Sequence, residues 1–230
     1  MKFDVIILAG GLGTRLKSVV SDVPKPMAPV AGKPFMEYIL QKLPLQNVNQ
    51  IILSVGYKYE KIKEVYGSAY QSIPLIYSIE EQPLGTGGGI KLALQKCTSE
   101  HCLIVNGDTL FDVDFEQFWQ VHNQKQNDIT LALKQIESPD RYGTVVLEKD
   151  RILKFSEKQA GLKQGLINGG LYWLKCNLLS KMPESEIFSF ETEFLEKEVT
   201  SLRMGGYIDS SLFIDIGIPQ DYERAQSLFA

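Results

Sequence analysis

Gly10, Gly11 and Gly13 crowd into four residues, and Thr14-Arg15 follows at once. Ten residues beyond Arg15, Lys25 stands between Pro24 and Pro26. Glycines remove side-chain bulk and let backbone N–H groups converge on an anion. Arg15 offers a rigid fork of donors suited to phosphate. The flanking prolines limit where the Lys25 ammonium can go. Together these residues predict a phosphate cradle with two cationic groups; apart, they would read as a tight turn and a surface loop. Two aspartates add to the inventory. Asp108 closes Asn106-Gly107-Asp108, a turn or cap position on its own. Asp215 lies inside the apolar run 212–216, where a buried carboxylate needs a partner.

The cradle fits neither common nucleotide fingerprint. Gly32-Lys33 is followed by Pro34, so no Walker sequence exists, and Leu16 occupies the third glycine position of the Rossmann pattern. A P-loop NTPase and a dehydrogenase are therefore not expected.

The elements that must position these groups alternate between strand and helix. Val5 to Leu8 reads as a strand buried on both faces and 51–55 as a second buried strand, and 74–78, 102–105 and 129–133 read as further strands. Helices are expected over 35–43, 58–66 (closed by Gly67), 88–94, after an Asp114 cap, over 190–202, and from Pro219. A hairpin is expected over 143–155 and a strand over 169–174. This βαβα order predicts an α/β fold: a Rossmann-like mixed, mostly parallel sheet with helices on both faces, in a single domain over residues 1–230. Ligands of such sheets bind beyond the carboxyl ends of the strands. The glycine turn and Asn106-Gly107-Asp108 both follow strands, so both belong at that edge.

Composition narrows the class. The net charge of −4 over 230 residues points to no nucleic acid and no anionic membrane, so any phosphate recognition is local. No leader pattern or membrane-length apolar run is present, which predicts a cytoplasmic protein. Cys97, Cys102 and Cys176 lack metal-type spacing and read as reduced thiols in or near the core. With only His101 and His122, a histidine metal site or a Ser-His-Asp triad is not expected.

Leu8-Ala9-Gly10-Gly11-Leu12-Gly13-Thr14-Arg15-Leu16 with Pro24-Lys25-Pro26-Met27 resembles the signature of the sugar-1-phosphate nucleotidyltransferases. The resemblance runs along nearly the whole chain, through Glu81 to Gly88, Asn106-Gly107-Asp108, Tyr142-Gly143, Glu157-Lys158, Asn168-Gly169-Gly170 and Phe213 to Gly217. It implies a nucleotide-diphospho-sugar transferase (GT-A-like) fold, with 1–110 mainly the nucleotide half and 111–230 mainly the sugar-phosphate half. It also implies a reaction: a sugar 1-phosphate oxygen attacks the α-phosphorus of an NTP in line, and pyrophosphate leaves. Positioning and charge neutralisation would carry it.

Site roles follow from the same resemblance. Asp108 and Asp215 would hold Mg²⁺, which takes oxygen ligands and keeps waters. Arg15 would bind the leaving phosphates, and Lys25 the α-phosphate and the incoming sugar phosphate. Leu8, Ala9, Gly10, Gly11, Gly13, Thr14, Gln82 and Gly87 would contact the nucleotide. Gly143, Glu157, Lys158 and Asn168 would bind the sugar phosphate. Guanine needs acceptors, and Glu80, Glu81, Gln82 or any loop carbonyl would serve, so base choice stays open by this route.

The segment 17–23, with 28–35, 86–89 and 189–191, is most similar to the D-glycero-α-D-manno-heptose 1-phosphate guanylyltransferase branch. The implied product is GDP-heptose for a bacterial surface glycan. Gly88 stands where many members have alanine. The chain also lacks the β-helix of bifunctional members, so acetyl transfer is not expected, and a monomer or small homo-oligomer is. Rival readings are uridylyl transfer to N-acetylmuramic acid 1-phosphate, mannose 1-phosphate guanylyl transfer, and a catalytically silent nucleotide-sugar-binding module.

Overall fold

In the computed structural model the described residues are 2–11, 16, 19–20, 22–140, 142–156 and 161–230. The first half lays down β1 (Phe3–Leu8), a small hairpin of β2 (Pro29–Val30) and β3 (Lys33–Pro34), α1 (Phe35–Lys42), β4 (Val48–Val55), α2 (Tyr59–Tyr66), β5 (Ala69–Tyr70), β6 (Ile73–Ile79), α3 (Gly85–Leu94), β7 (His101–Asn106) and β8 (Thr109–Phe111). The second half adds α4 (Phe115–Gln124), β9 (Ile129–Glu137), β10 (Thr144–Glu148), β11 (Arg151–Ser156) and β12 (Gln164–Lys175). A π-helical stretch, Phe190–Leu195, then runs into α5 (Glu196–Glu198), followed by β13 (Met204–Ile208), β14 (Phe213–Asp215) and α6 (Pro219–Phe229).

Ten strands form one sheet in the order β10-β11-β13-β9-β12-β7-β1-β4-β6-β5. The expected parallel order holds in the first half, where β7, β1, β4 and β6 all run the same way. The second half makes the sheet mixed: β12 is antiparallel to both β7 and β9, and β13 is parallel to β9. Apolar side chains leave the sheet on both faces and form two buried clusters. One holds Phe35, Leu40, Phe118 and Trp173 under α1, α2, α4 and α6. The other holds Ile90, Tyr172, Phe190 and Phe194 under α3 and the π-helical stretch. Strands such as β1, buried on both faces, therefore carry apolar residues at every position but one inside the sheet.

That exception, Asp4, is fully buried and organises the amino-terminal edge. Its carboxylate accepts from Thr98 N–H (2.6 Å), Ser99 N–H (3.0 Å), the Ser99 hydroxyl (2.9 Å) and the amides of Asn49 and Gln50 (3.2 Å each). Burial alone would raise its pKa; these donors outweigh burial and hold it below the usual carboxylate value. A depressed native pKa contributes stability that is present above about pH 4 and is lost as pH falls through the native value. Asp4→Asn turns an amide NH₂ toward donors, with an expected cost of about 1–3 kcal/mol near neutral pH. Chemical unfolding at several pH values checks this: the gap between variant and parent should shrink in acid, and a constant gap would refute the assignment.

Several expected elements extend or break. The strand foreseen at 169–174 begins at Gln164 and bends where its register shifts between Asn168 and Tyr172. The bend follows from Gly170, at φ +74°, and from Gly169, where a Cβ would lie 2.4 Å from the Phe111 ring. The helix foreseen over 190–202 is a π-helical stretch plus one short turn. Asp114 caps α4 as expected, accepting from Glu116 and Gln117 N–H. No helix among the described residues is long and apolar enough to cross a membrane.

Candidate active site

The strand ends at the carboxyl edge are tied to one another. Gly107 N–H donates to the Leu8 carbonyl (2.9 Å) and Ala9 N–H to the Ser54 carbonyl (2.7 Å). At Gly107 a Cβ would lie 2.5 Å from the Leu8 carbonyl oxygen, so only glycine lets the two turns touch. Lys25 opens a 3₁₀ turn over Lys25–Met27. The segment just after it is held by α6: Tyr222 OH and the Gln226 amide donate to the Pro29 carbonyl, and Gln226 accepts from Ala31 N–H.

β8 and β14 unite the two aspartates. They pair antiparallel with Thr109 opposite Asp215, and Ile216 N–H donates to the Asp108 carbonyl (3.0 Å). Lys25 Nζ lies 2.5 Å from Asp108 Oδ2. Asp215 Oδ1 accepts from Gly217 N–H (2.6 Å). Burial raises the Asp215 pKa, and the Asp108 charge raises it further against the pull of Lys25. Two carboxylates that repel each other, with one ammonium beside them, leave negative charge for a cation to neutralise. The donor set is oxygen only, which suits a hard divalent ion. These residues fit a metal site.

A cleft of about 440 Å³ opens beside them, lined by Leu8, Ala9, Gly10, Gly11, Lys25, Pro26, Ser54, Glu80, Pro83, Gly85, Thr86, Gly89, Asn106 and Asp108. The nucleotide residues expected at Leu8, Ala9, Gly10, Gly11, Lys25 and Asp108 therefore meet at one cleft. Gly13, Thr14, Arg15, Glu157 and Lys158 lie outside the described residues.

Gln82 and Gly87 do not line this cleft directly. Gln82 borders two neighbouring surface depressions with Glu81, one of which shares Gly10, Glu80 and Pro83 with the cleft. Gly87 packs against Phe188: its N–H donates to the Phe188 carbonyl, and a Cβ would stand 2.2 Å from the ring. At Gly88 a Cβ would lie 2.1 Å from the Glu186 carbonyl oxygen. Its departure from alanine thus makes room for the segment packed behind α3.

Glu80 takes the inward position instead. Its carboxylate accepts from Leu84 N–H (3.1 Å) and the Ser54 hydroxyl (3.2 Å). A Cβ on Gly10 or Gly89 would approach Oε1 to 2.6 or 2.8 Å, so both glycines make room for it. Burial raises its pKa although both hydrogen bonds oppose the shift. Two signals in the sequence mark this corner. Ser54 interrupts an apolar strand, and Glu80 directly follows β6 at the ligand-binding edge.

Asn168 is held by its own bend in β12. Its Nδ2 donates to Tyr172 OH (2.7 Å), and its Oδ1 accepts from Gly170 N–H (3.0 Å). Gly170 packs on Asn106, which places the bend at the carboxyl end of β7. Gly143 lies against the Ser156 carbonyl, and neighbouring Tyr142 meets the Phe213 ring of β14 edge-on. The expected sugar-side residues that are described, Gly143 and Asn168, thus lie beside elements that neighbour the aspartates and do not line the nucleotide cleft.

A family model described as nucleotidyl transferase matches residues 4–230. The chain belongs to the nucleotidyl transferase family. It is 49% identical to the D-glycero-alpha-D-manno-heptose 1-phosphate guanylyltransferase of Aneurinibacillus thermoaerophilus, over 97% of this chain and 96% of the relative. To the enzyme of the same name from Campylobacter jejuni it is 48% identical, over 94% and 96%. Among solved structures, HddC from Yersinia pseudotuberculosis, complexed with GMP-PN, superposes with a TM-score of 0.86 at 36% identity, covering 99% of this chain and all of that one. Nucleotidyltransferases of this family generally use a divalent metal, in keeping with the paired aspartates. The fold expected from strand order and motif order is the fold of the family.

Proposed function

We propose that this protein transfers a guanylyl group from GTP to D-glycero-α-D-manno-heptose 1-phosphate, releasing pyrophosphate and forming the GDP-heptose. The observation that carries the reading is the convergence of Lys25, Asp108 and Asp215 beside a cleft floored by the glycine turn. The guanylyltransferase relatives support the choice of substrates. We assign the metal as Mg²⁺; when bound by Asp108 and Asp215 it supplies charge neutralisation on the phosphate oxygens.

One phosphorus–oxygen bond forms and one breaks. A sugar 1-phosphate oxygen bonds to the α-phosphorus, and the bond to the β-phosphate oxygen breaks as pyrophosphate leaves. The chain's residues position and neutralise. The backbone of Leu8 to Gly11 shapes the cleft floor. Lys25 moves from Asp108 to the phosphates that meet at the α-phosphorus. Arg15 neutralises the leaving pyrophosphate. Glu157, Lys158, Asn168 and the Gly143 backbone hold the sugar phosphate. No side-chain nucleophile is required, because the attacking oxygen is already ionised. Glu80 accepts from guanine N1–H and N2–H, which adenine does not offer in that arrangement. The protein works on small molecules in the cytoplasm, as a monomer or small homo-oligomer, with no nucleic acid or membrane partner.

Pyrophosphate release measured over four NTPs, each with heptose, mannose, glucose and N-acetylmuramic acid 1-phosphates, tests the reading. Highest turnover is expected for GTP with the heptose phosphate. Uridylyl transfer without GTP turnover would overturn it.

A further inference from the structure

The three cysteines that looked unrelated by spacing meet in space, away from the catalytic edge. Cys97, Cys102 and Cys176 are all free, and their sulfurs lie within 4.8 Å of one another. Three rigid elements deliver them. Cys97 ends the turn after α3, its N–H donating to the Leu94 carbonyl (3.1 Å). Cys102 is the second residue of β7 and is fully buried. Cys176 follows β12, where Leu174 pairs with Cys102, and its N–H donates to the Glu100 carbonyl (2.8 Å).

Sulfur is a soft donor, and three thiolates select closed-shell thiophilic ions over the hard ion suited to Asp108 and Asp215. Sulfurs bound to one tetrahedral ion at about 2.3 Å stand roughly 3.8 Å apart. The triangle therefore needs to contract by no more than about 1 Å per edge, within reach of small side-chain rotations. Cys97 and Cys176 are only partly buried, so the cluster is not sealed inside the core. Cys102 and Asn106 are four strand residues apart, about 13 Å, so the cluster is separate from the aspartate pair. We infer that Cys97, Cys102 and Cys176 bind one thiophilic d¹⁰ cation of the Zn²⁺ or Cu⁺ class, which staples the end of α3 to β7 and β12. The other end of α3 carries Gly85, Thr86 and Gly89 into the nucleotide cleft, so the staple would anchor the helix that borders the substrate.

The reduced, chelator-treated protein is titrated with Cd²⁺ as probe, in excess Mg²⁺. One equivalent with an ultraviolet sulfur-to-cadmium charge-transfer band is expected, together with a higher thermal midpoint. Zn²⁺ and Cu⁺ competition then assigns the ion by which displaces Cd²⁺ at one equivalent. Cys97→Ser and Cys176→Ser should each weaken uptake at least tenfold while guanylyl transfer continues. Alkylation followed by mass spectrometry provides a readout that needs no variant: bound metal should protect all three thiols together. Absence of the band in the reduced wild-type protein, an undiminished band in either variant, or protection of fewer than three thiols would overturn the inference.

Discussion

Asp215→Asn is expected to lower turnover by about 10²–10³-fold, or roughly 3–4 kcal/mol of transition-state stabilisation, without lowering stability at neutral pH. The amide keeps an oxygen for Gly217 N–H but removes the charge. Burial and the neighbouring Asp108 raise the native pKa of Asp215. Such a group binds its proton more tightly folded than unfolded, so its contribution to stability falls as pH rises through the raised native value. The neutral variant escapes that burden, and its thermal midpoint should match or exceed the parent's near pH 7 and lose the advantage in acid. Asp108→Asn should show a comparable loss of turnover, since it supplies the other carboxylate and is the partner of Lys25. Pyrophosphate release and melting curves at two pH values check both statements. Near-normal turnover with Mg²⁺ would refute the metal assignment. A collapse in stability would instead make Asp215 a structural residue.

Glu80→Gln should act on selectivity more than on the chemical step. Glutamine keeps the shape of the side chain and an oxygen for Leu84 N–H or the Ser54 hydroxyl. It loses the charge and replaces one acceptor with a donor that opposes the guanine N–H groups. A mismatched bidentate contact to a base costs about 1–3 kcal/mol, so kcat/KM for GTP should fall about 10–200-fold. Residual turnover of ATP and UTP should not fall in parallel. The measurement is kcat/KM for each NTP with one sugar phosphate held saturating. An unchanged ratio of GTP to UTP would remove Glu80 from base recognition.

What could be read from sequence depended on how local each determinant is. The glycine turn, Pro24-Lys25-Pro26 and Asn106-Gly107-Asp108 are contiguous, and each follows or serves the end of a strand, so type and spacing were enough. Asp215 was harder. The apolar run 212–216 reads as a strand carrying it, but only the pairing of β14 with β8 brings it to Asp108, and nothing local names that partner. The position of β13 inside the large sheet was equally silent, because Gly205 and Gly206 dilute its apolar pattern. Gly87 looks like a place for a base to approach, and its bareness also leaves room for the Phe188 ring. A missing side chain says that something is close without saying what. The cysteines are free thiols in or near the core, as expected, but their convergence was not legible: ligand spacing rules describe loops, whereas these three come from a helix end, a strand start and a strand end.

The contact of α6 with the Lys25 segment has a consequence for the newborn chain. β1, the glycine turn and Lys25 emerge from the ribosome well before Asp215 and the clamp at Tyr222 and Gln226, which come some two hundred residues later. At synthesis rates of about 5–20 residues per second, the nucleotide half waits ten seconds or more for the groups that complete it. During that interval the nascent chain holds a cradle without its second carboxylate. Competence for transfer therefore arrives only once β14 and α6 have emerged, in one step, rather than growing with the chain.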